Sequence, residues 1–121
     1  TVYFSTKGTD QVWQYDTNSS TIDVLYDART LSDPPLRGVD NITVSCCGDV
    51  LVAEDGGNMQ IVAILPDGQL KPLVQVVGHD RSEVTGPAFS PDGTRLYFSS
   101  QRGSSGSGMT FEVQGRFHDP A

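Results

Sequence analysis

Residues 42–76, ITVSCCGDVLVAEDGGNMQIVAILPDGQLKPLVQV, hold four short β-prone runs separated by turn signals. The runs fall at about 42–45, 49–53, 60–65 and 69–76, and Cys-Cys-Gly-Asp, Glu-Asp-Gly-Gly and Pro-Asp-Gly stand between them. Gly, Asp, Asn and Pro favour tight reversals for backbone reasons, so the pattern reads as four antiparallel strands, A to D, joined by short turns.

The same unit recurs along the chain. Val2-Tyr3-Phe4-Ser5, Val50-Leu51-Val52-Ala53 and Leu96-Tyr97-Phe98-Ser99 are strand-B runs at offsets of 48 and 46 residues. Each has a downstream partner run, at 12–15, 61–64 and 109–113, and "ITVSCCGD" matches "PAFSPDGT" as strand A and its turn. Four strands in a repeat of roughly 40 to 50 residues is the pattern of a β-propeller blade. The expected fold is therefore all-β, a single partial propeller unit over residues 1–121 with about two to three blades of four-stranded antiparallel sheet. Their approximate extents are 1–28 (strands B, C and D), 38–77 (all four) and 83–117 (A, B and C). A closed propeller usually takes at least four blades, so the chain is expected to be part of a longer protein or to form a ring from several copies. No stretch has a helical period, and "GSSGSG" at 103–108 reads as a flexible loop or, as a second reading, a fusion scar.

The charge excludes some functions. Fifteen Asp and Glu against eight Lys and Arg give a net charge of −7, which repels nucleic acid backbones and anionic membranes. No apolar run is long enough for a membrane span. The chain opens on neither Met nor a basic-then-apolar leader, so a processed or trimmed chain is expected. Two cysteines are too few for a disulfide scaffold and leave the compartment open.

In a blade, the loop entering strand A and the loop leaving strand B emerge at the same end. Asp40 and Asn41 precede strand A of the middle blade, and Glu54 and Asp55 leave its strand B. The equivalent places hold Glu83, Gln101 and Arg102 in the following blade, and Thr6 and Lys7 in the preceding one. Innermost strands line the channel, so these positions would ring its mouth. Carboxylates and an amide carbonyl gathered there are hard oxygen donors of the kind Ca²⁺ takes. The plainer reading is that Asp40-Asn41 and Glu54-Asp55-Gly56-Gly57 are ordinary turns.

The ordered series "GVDNITVSCCGDVLVAEDGG", "IVAILPDGQLKPLV" and "SEVTGPAFSPDGTRLYFSSQ", with the opening "VYFSTKGTDQVWQYDTNSSTIDVLYDA", resembles the carboxy-terminal part of the PhoX-type alkaline phosphatases. The resemblance implies a six-bladed, exported (secreted or periplasmic) bacterial propeller. It also implies hydrolysis of phosphate monoesters at a calcium and iron cluster in the channel. Carried over residue by residue, it makes Glu54, Asp40 and Asn41 the first candidate metal-site positions, then Glu83 and Asp55, with Lys7 and Arg102 as candidate phosphate contacts. The iron-binding cysteine and the further carboxylates and basic residues such a cluster needs have no counterpart in these 121 residues. This chain also carries Ser45-Cys46-Cys47 where relatives usually have Ser-Pro before the glycine.

Two other classes stand beside a phosphomonoesterase fragment or homologue: a non-enzymatic binding module, lectin-like or protein-binding, that assembles into a ring, and another calcium-dependent propeller hydrolase. His79 and His118 are solitary and read as surface loop residues. Trp13, Tyr15, Tyr97 and Phe98 read as packing between blades. There is no Gly-x-Ser-x-Gly nucleophile elbow. Cys46 and Cys47 fall in the A-to-B turn, roughly 15 Å from Glu54 and Asp55 at ~3.3 Å per strand residue, so the two pairs cannot share a metal. They are expected as free thiols, or with one paired across a contact.

Overall fold

The computed structural model describes residues 1–117, so His118 lies outside the described residues. The described residues form a partial β-propeller of ten strands in three antiparallel sheets. The first holds β1 (Val2–Thr6), β2 (Gln11–Asp16) and β3 (Thr21–Asp27). The second runs through β4 (Val39–Val44), β5 (Val50–Glu54), β6 (Gln60–Ile64) and β7 (Leu70–Gln75). The third holds β8 (Val84–Phe89), β9 (Arg95–Ser100) and β10 (Met109–Gln114). The helical content among the described residues is two single 3₁₀ turns, Lys7–Thr9 and Ala28–Thr30.

The two central strands of the middle sheet, β5 and β6, are buried on both faces, which explains their continuous apolar runs. Strand alternation sends Val50, Val52, Val62 and Ile64 into one core with Val12, Tyr26, Leu36 and Val39. It sends Leu51, Ala53, Ile61 and Ala63 into another with Val84, Leu96 and Phe98. The first core joins the middle sheet to the first sheet, and the second joins it to the third.

Of the four aromatics expected between blades, Phe98 is buried in the second core and stacks with Phe111 at 5.3 Å between ring centroids. Trp13 lies on the outer face of the first sheet, in register with Phe4 and Val24, and stacks on Phe4 at 6.2 Å. Val2, Tyr15 and Ile22 align beside them, which makes this outer face apolar and largely exposed. The outer face of the third sheet is polar: Tyr97 opposes Glu112, Ser99 opposes Thr110, and Arg95 Nε lies 3.5 Å from Glu112 Oε1.

Turn chemistry follows the sequence. The Asp16 carboxylate accepts from the Asn18 N–H at 2.8 Å, and Asp92 accepts from the Thr94 N–H and from the Ser90 and Thr94 hydroxyls. Strand A of the middle sheet starts at Val39 rather than near residue 42, because its register with β5 shifts between Val39 and Ile42. A β-bulge there places Asp40 and Asn41 inside the strand instead of before it. Strand β8 is irregular too, between Thr85 and Ala88.

Candidate functional site

The strands that approach one another across the three sheets are β1, β4 and β8, with β5 also against β8. Their ends bring together side chains far apart in sequence. One oxygen from each of Asp40, Asp55 and Glu83 lies within 4.8 Å of the other two, and all three residues are half-buried. Asp40 comes from the bulge of β4, Asp55 follows β5, and Glu83 precedes β8. Lys7, in the turn after β1, reaches into the group. Its Nζ lies 3.1 Å from Asp40 Oδ2 and 3.9 Å from Glu83 Oε2, and it contacts Asp55 Oδ2 as well.

Several backbone and side-chain contacts hold this arrangement. Ser5 Oγ donates to the Asp40 carbonyl, linking β1 to β4. Asn41 Nδ2 donates to Asp40 Oδ1 at 3.1 Å. The Asp10 carboxylate, on a residue with a left-handed φ of 58°, accepts from the Val39 N–H at 2.8 Å and fixes where β4 begins. Asp55 is anchored by its own N–H, which donates to the Gly38 carbonyl at 2.7 Å. Gly38 has φ +62°, and a Cβ there would sit 2.6 Å from the Asp55 carbonyl oxygen, so this close approach requires glycine.

The carboxylates differ electrostatically. The Lys7 ammonium holds the Asp55 carboxyl below its usual range, although burial opposes it. Glu83 is pushed the other way, first by burial and then by its hydrogen bond with Asp55. The two neighbouring carboxyls are thus pushed in opposite directions. Lys7 is correspondingly raised, chiefly by its hydrogen bonds to Asp55 and Asp40.

Glu54 is one residue from Asp55, yet alternation turns it to the opposite face of the sheet. It is 1% exposed and outside the carboxylate group. Its two oxygens accept from the backbone N–H groups of Arg37 at 3.0 Å and Gln60 at 2.9 Å. Burial pushes its pKa up, and the two hydrogen bonds oppose that. There it borders a cleft of about 540 Å³ with Arg37, Gln60 and three prolines, among them Pro72.

Asn41 stands beside the group with its amide engaged: Nδ2 on Asp40, Oδ1 on β8. Arg102 is exposed, its Nε donates to the Arg81 carbonyl at 2.8 Å, and its charge helps lower Asp55. His79 is half-buried rather than a free surface residue: its Nδ1 lies 2.8 Å from Ser100 Oγ, which donates to Ser82 Oγ, and the His79 ring tilts against Phe111. This serine network accepts the Arg102 N–H on Ser82 Oγ at 2.9 Å and so shapes the loop after β9.

Three hard oxygen donors in one place suit a divalent cation such as Ca²⁺, which takes six to eight oxygens in flexible geometry. They offer no sulfur or imidazole, so the group lacks the softer ligands an iron centre would share. Among the described residues, no helix is long and apolar enough to cross a membrane.

A sequence model of the family described as "Alkaline phosphatase PhoX" matches residues 5–103. No curated protein and no solved structure matches the chain.

Proposed function

The chain belongs to the alkaline phosphatase PhoX family, and from that membership we propose that it supplies one wall of a cation-dependent phosphomonoesterase site, with Asp40, Asp55 and Glu83 as the cation-holding carboxylates. The observation that carries this reading is the meeting of these three side chains, from three strand ends up to 43 residues apart in sequence, at the place where the inner strands converge. Further ligands come from other blades of a longer chain, because three carboxylates do not complete a calcium shell. The family relationship supports calcium at this group, with iron held by ligands from other blades, and an extracytoplasmic location.

A bound divalent cation would neutralise phosphate oxygens and lower the pKa of an attacking oxygen. The residues present divide the remaining work. Asp40, Asp55 and Glu83 hold the charge. Asn41 orients Asp40. Lys7 balances the carboxylates when no cation is bound and, once released, stands at the same end as Arg102 to meet an anionic ester. Glu54 belongs to the frame of the hairpin: it fastens the segment before β4 to the start of β6 through two backbone N–H groups.

Thermal unfolding of the chain with and without millimolar CaCl₂ tests this reading. Calcium at about 100 times its dissociation constant should stabilise the fold by about 2.7 kcal/mol. Asp55→Asn should abolish most of that gain. No stabilisation of the parent chain by Ca²⁺, Mg²⁺ or Mn²⁺ overturns the assignment.

A further inference from the structure

We propose that Cys46 and Cys47 form a chelating site for a single thiophilic metal or metalloid centre carrying an apolar substituent. Both thiols are exposed, and their sulfurs lie 3.6 Å apart at the turn between β4 and β5. That spacing suits one bridging soft atom. Metal–thiolate bonds of ~2.3 Å at a tetrahedral angle span ~3.7 Å between sulfurs. A direct disulfide fits less well: the sulfurs would have to close to ~2.05 Å while neighbouring Cα atoms stay ~3.8 Å apart, below the usual ~4.4 Å minimum.

The turn that presents the thiols is well fixed. Ser45 Oγ accepts from the N–H groups of Cys47 at 3.2 Å and Asp49 at 3.0 Å, and donates to Asp49 Oδ2 at 3.0 Å. The Ser45 N–H donates to the Asp49 carbonyl at 2.9 Å, and Gly48 adopts φ +88°. The two sulfurs are therefore held on a rigid loop, which reduces the ordering cost of chelation. Beside Cys47 opens a cleft of about 280 Å³ between the first and middle sheets, walled by Tyr3, Leu25, Ile64 and Pro66 among others. An apolar group on the bound centre would lie there. Cys46 beside it pushes the Cys47 thiol up, so the free pair holds its protons until a soft centre displaces them. The acidic group sits at the other end of β5, so the two ends of one strand would take chemically opposite cations, hard at Asp55 and soft at the thiols.

The probe is phenylarsine oxide added to the reduced chain. Two As–S bonds form, two S–H bonds and the As–O bond break, one water leaves, and no electrons are transferred. Intact mass should show one phenylarsenic per chain, both thiols should become inert to iodoacetamide, and a monothiol wash should leave the adduct in place while a dithiol removes it. Cys46→Ser and Cys47→Ser, each checked for unchanged circular dichroism, should retain the probe about 100-fold less tightly, because the second bond is intramolecular. Asp55→Asn should retain it as the parent does, which keeps the result separate from the calcium assignment. A monothiol that strips the parent as readily as either serine variant, or two arsenicals per chain, overturns the proposal.

Discussion

Asn41 Oδ1 accepts hydrogen bonds from Thr85 Oγ1 at 2.6 Å and from the Gly86 N–H at 2.8 Å. A single amide in the bulge of β4 thus holds the irregular stretch of β8, while its own Nδ2 steadies Asp40. Asn41→Ala removes all three interactions and leaves the Gly86 N–H without this acceptor. The expected loss is about 1–3 kcal/mol in urea unfolding, with weaker calcium stabilisation. Asn41→Asp keeps the acceptor towards β8 but sets a like charge against Asp40, so it should lose stability without calcium and regain it when calcium is added. An Asn41→Ala chain as stable as the parent would falsify the linking role.

Glu54→Ala should destabilise more than any of the three clustered carboxylates. It orphans the Arg37 and Gln60 N–H groups at a site 1% exposed. Unsatisfied buried donors cost about 1–3 kcal/mol each, so a total of about 2–6 kcal/mol is expected. Glu54→Gln offers one acceptor and should recover part of it. Denaturant midpoints check this, and equal effects from Glu54→Ala and Asp40→Ala would contradict the division between frame and cation wall.

Gly38→Ala places a methyl 2.6 Å from the Asp55 carbonyl oxygen at a left-handed φ. The backbone strain alone costs about 1–3 kcal/mol. Relief of the clash has to move Asp55, so calcium stabilisation should fall with folding stability. If stability drops while the calcium response is unchanged, Asp55 is not positioned through this contact.

Acid stability has a definite sign. Asp92 is held at about 2 by the Ser90 hydroxyl and the Thr94 N–H and hydroxyl, and Asp27 at about 2 mainly by Arg29. Both folded values lie below the unfolded carboxylate value near ~3.9. Their contribution is therefore present above pH ~4 and is lost as pH falls towards about 2. Glu54 has the opposite sign: its raised folded pKa means stability is lost as pH rises through it. Urea midpoints between pH 2 and 5 should show a decline towards acid that is shallower in Asp92→Asn. An identical slope in that variant would remove Asp92 from the account.

The strand pattern was legible because the central strands of the middle blade are buried on both faces, which writes continuous apolar runs such as Val50-Leu51-Val52-Ala53 between turn residues. That Asp40, Asp55, Glu83 and Lys7 lie at one end of their blades was legible from loop order alone. Which carboxylates meet there was not. Glu54 and Asp55 are neighbours in sequence, and the reversal of side-chain direction along a strand sends one to the frame and the other to the cluster. Equally hidden was the bulge at Asp40-Asn41, since a register shift has no compositional mark. Lys7 as the counter-charge of the cluster depends on β1 lying against β4, a contact across more than thirty residues that no local pattern encodes.

The two outer faces of the stack are chemically unlike. One carries Phe4, Trp13 and Val24 in register, and the other carries Tyr97, Glu112 and Arg95. The assembly consequently has a direction. Identical copies meeting head to tail would have to strip water from the Arg95–Glu112 pair to cover an indole, a desolvation that apolar contact returns poorly. Burial therefore rewards covering the outer face of the first sheet, whereas covering that of the third has to accommodate a charged pair.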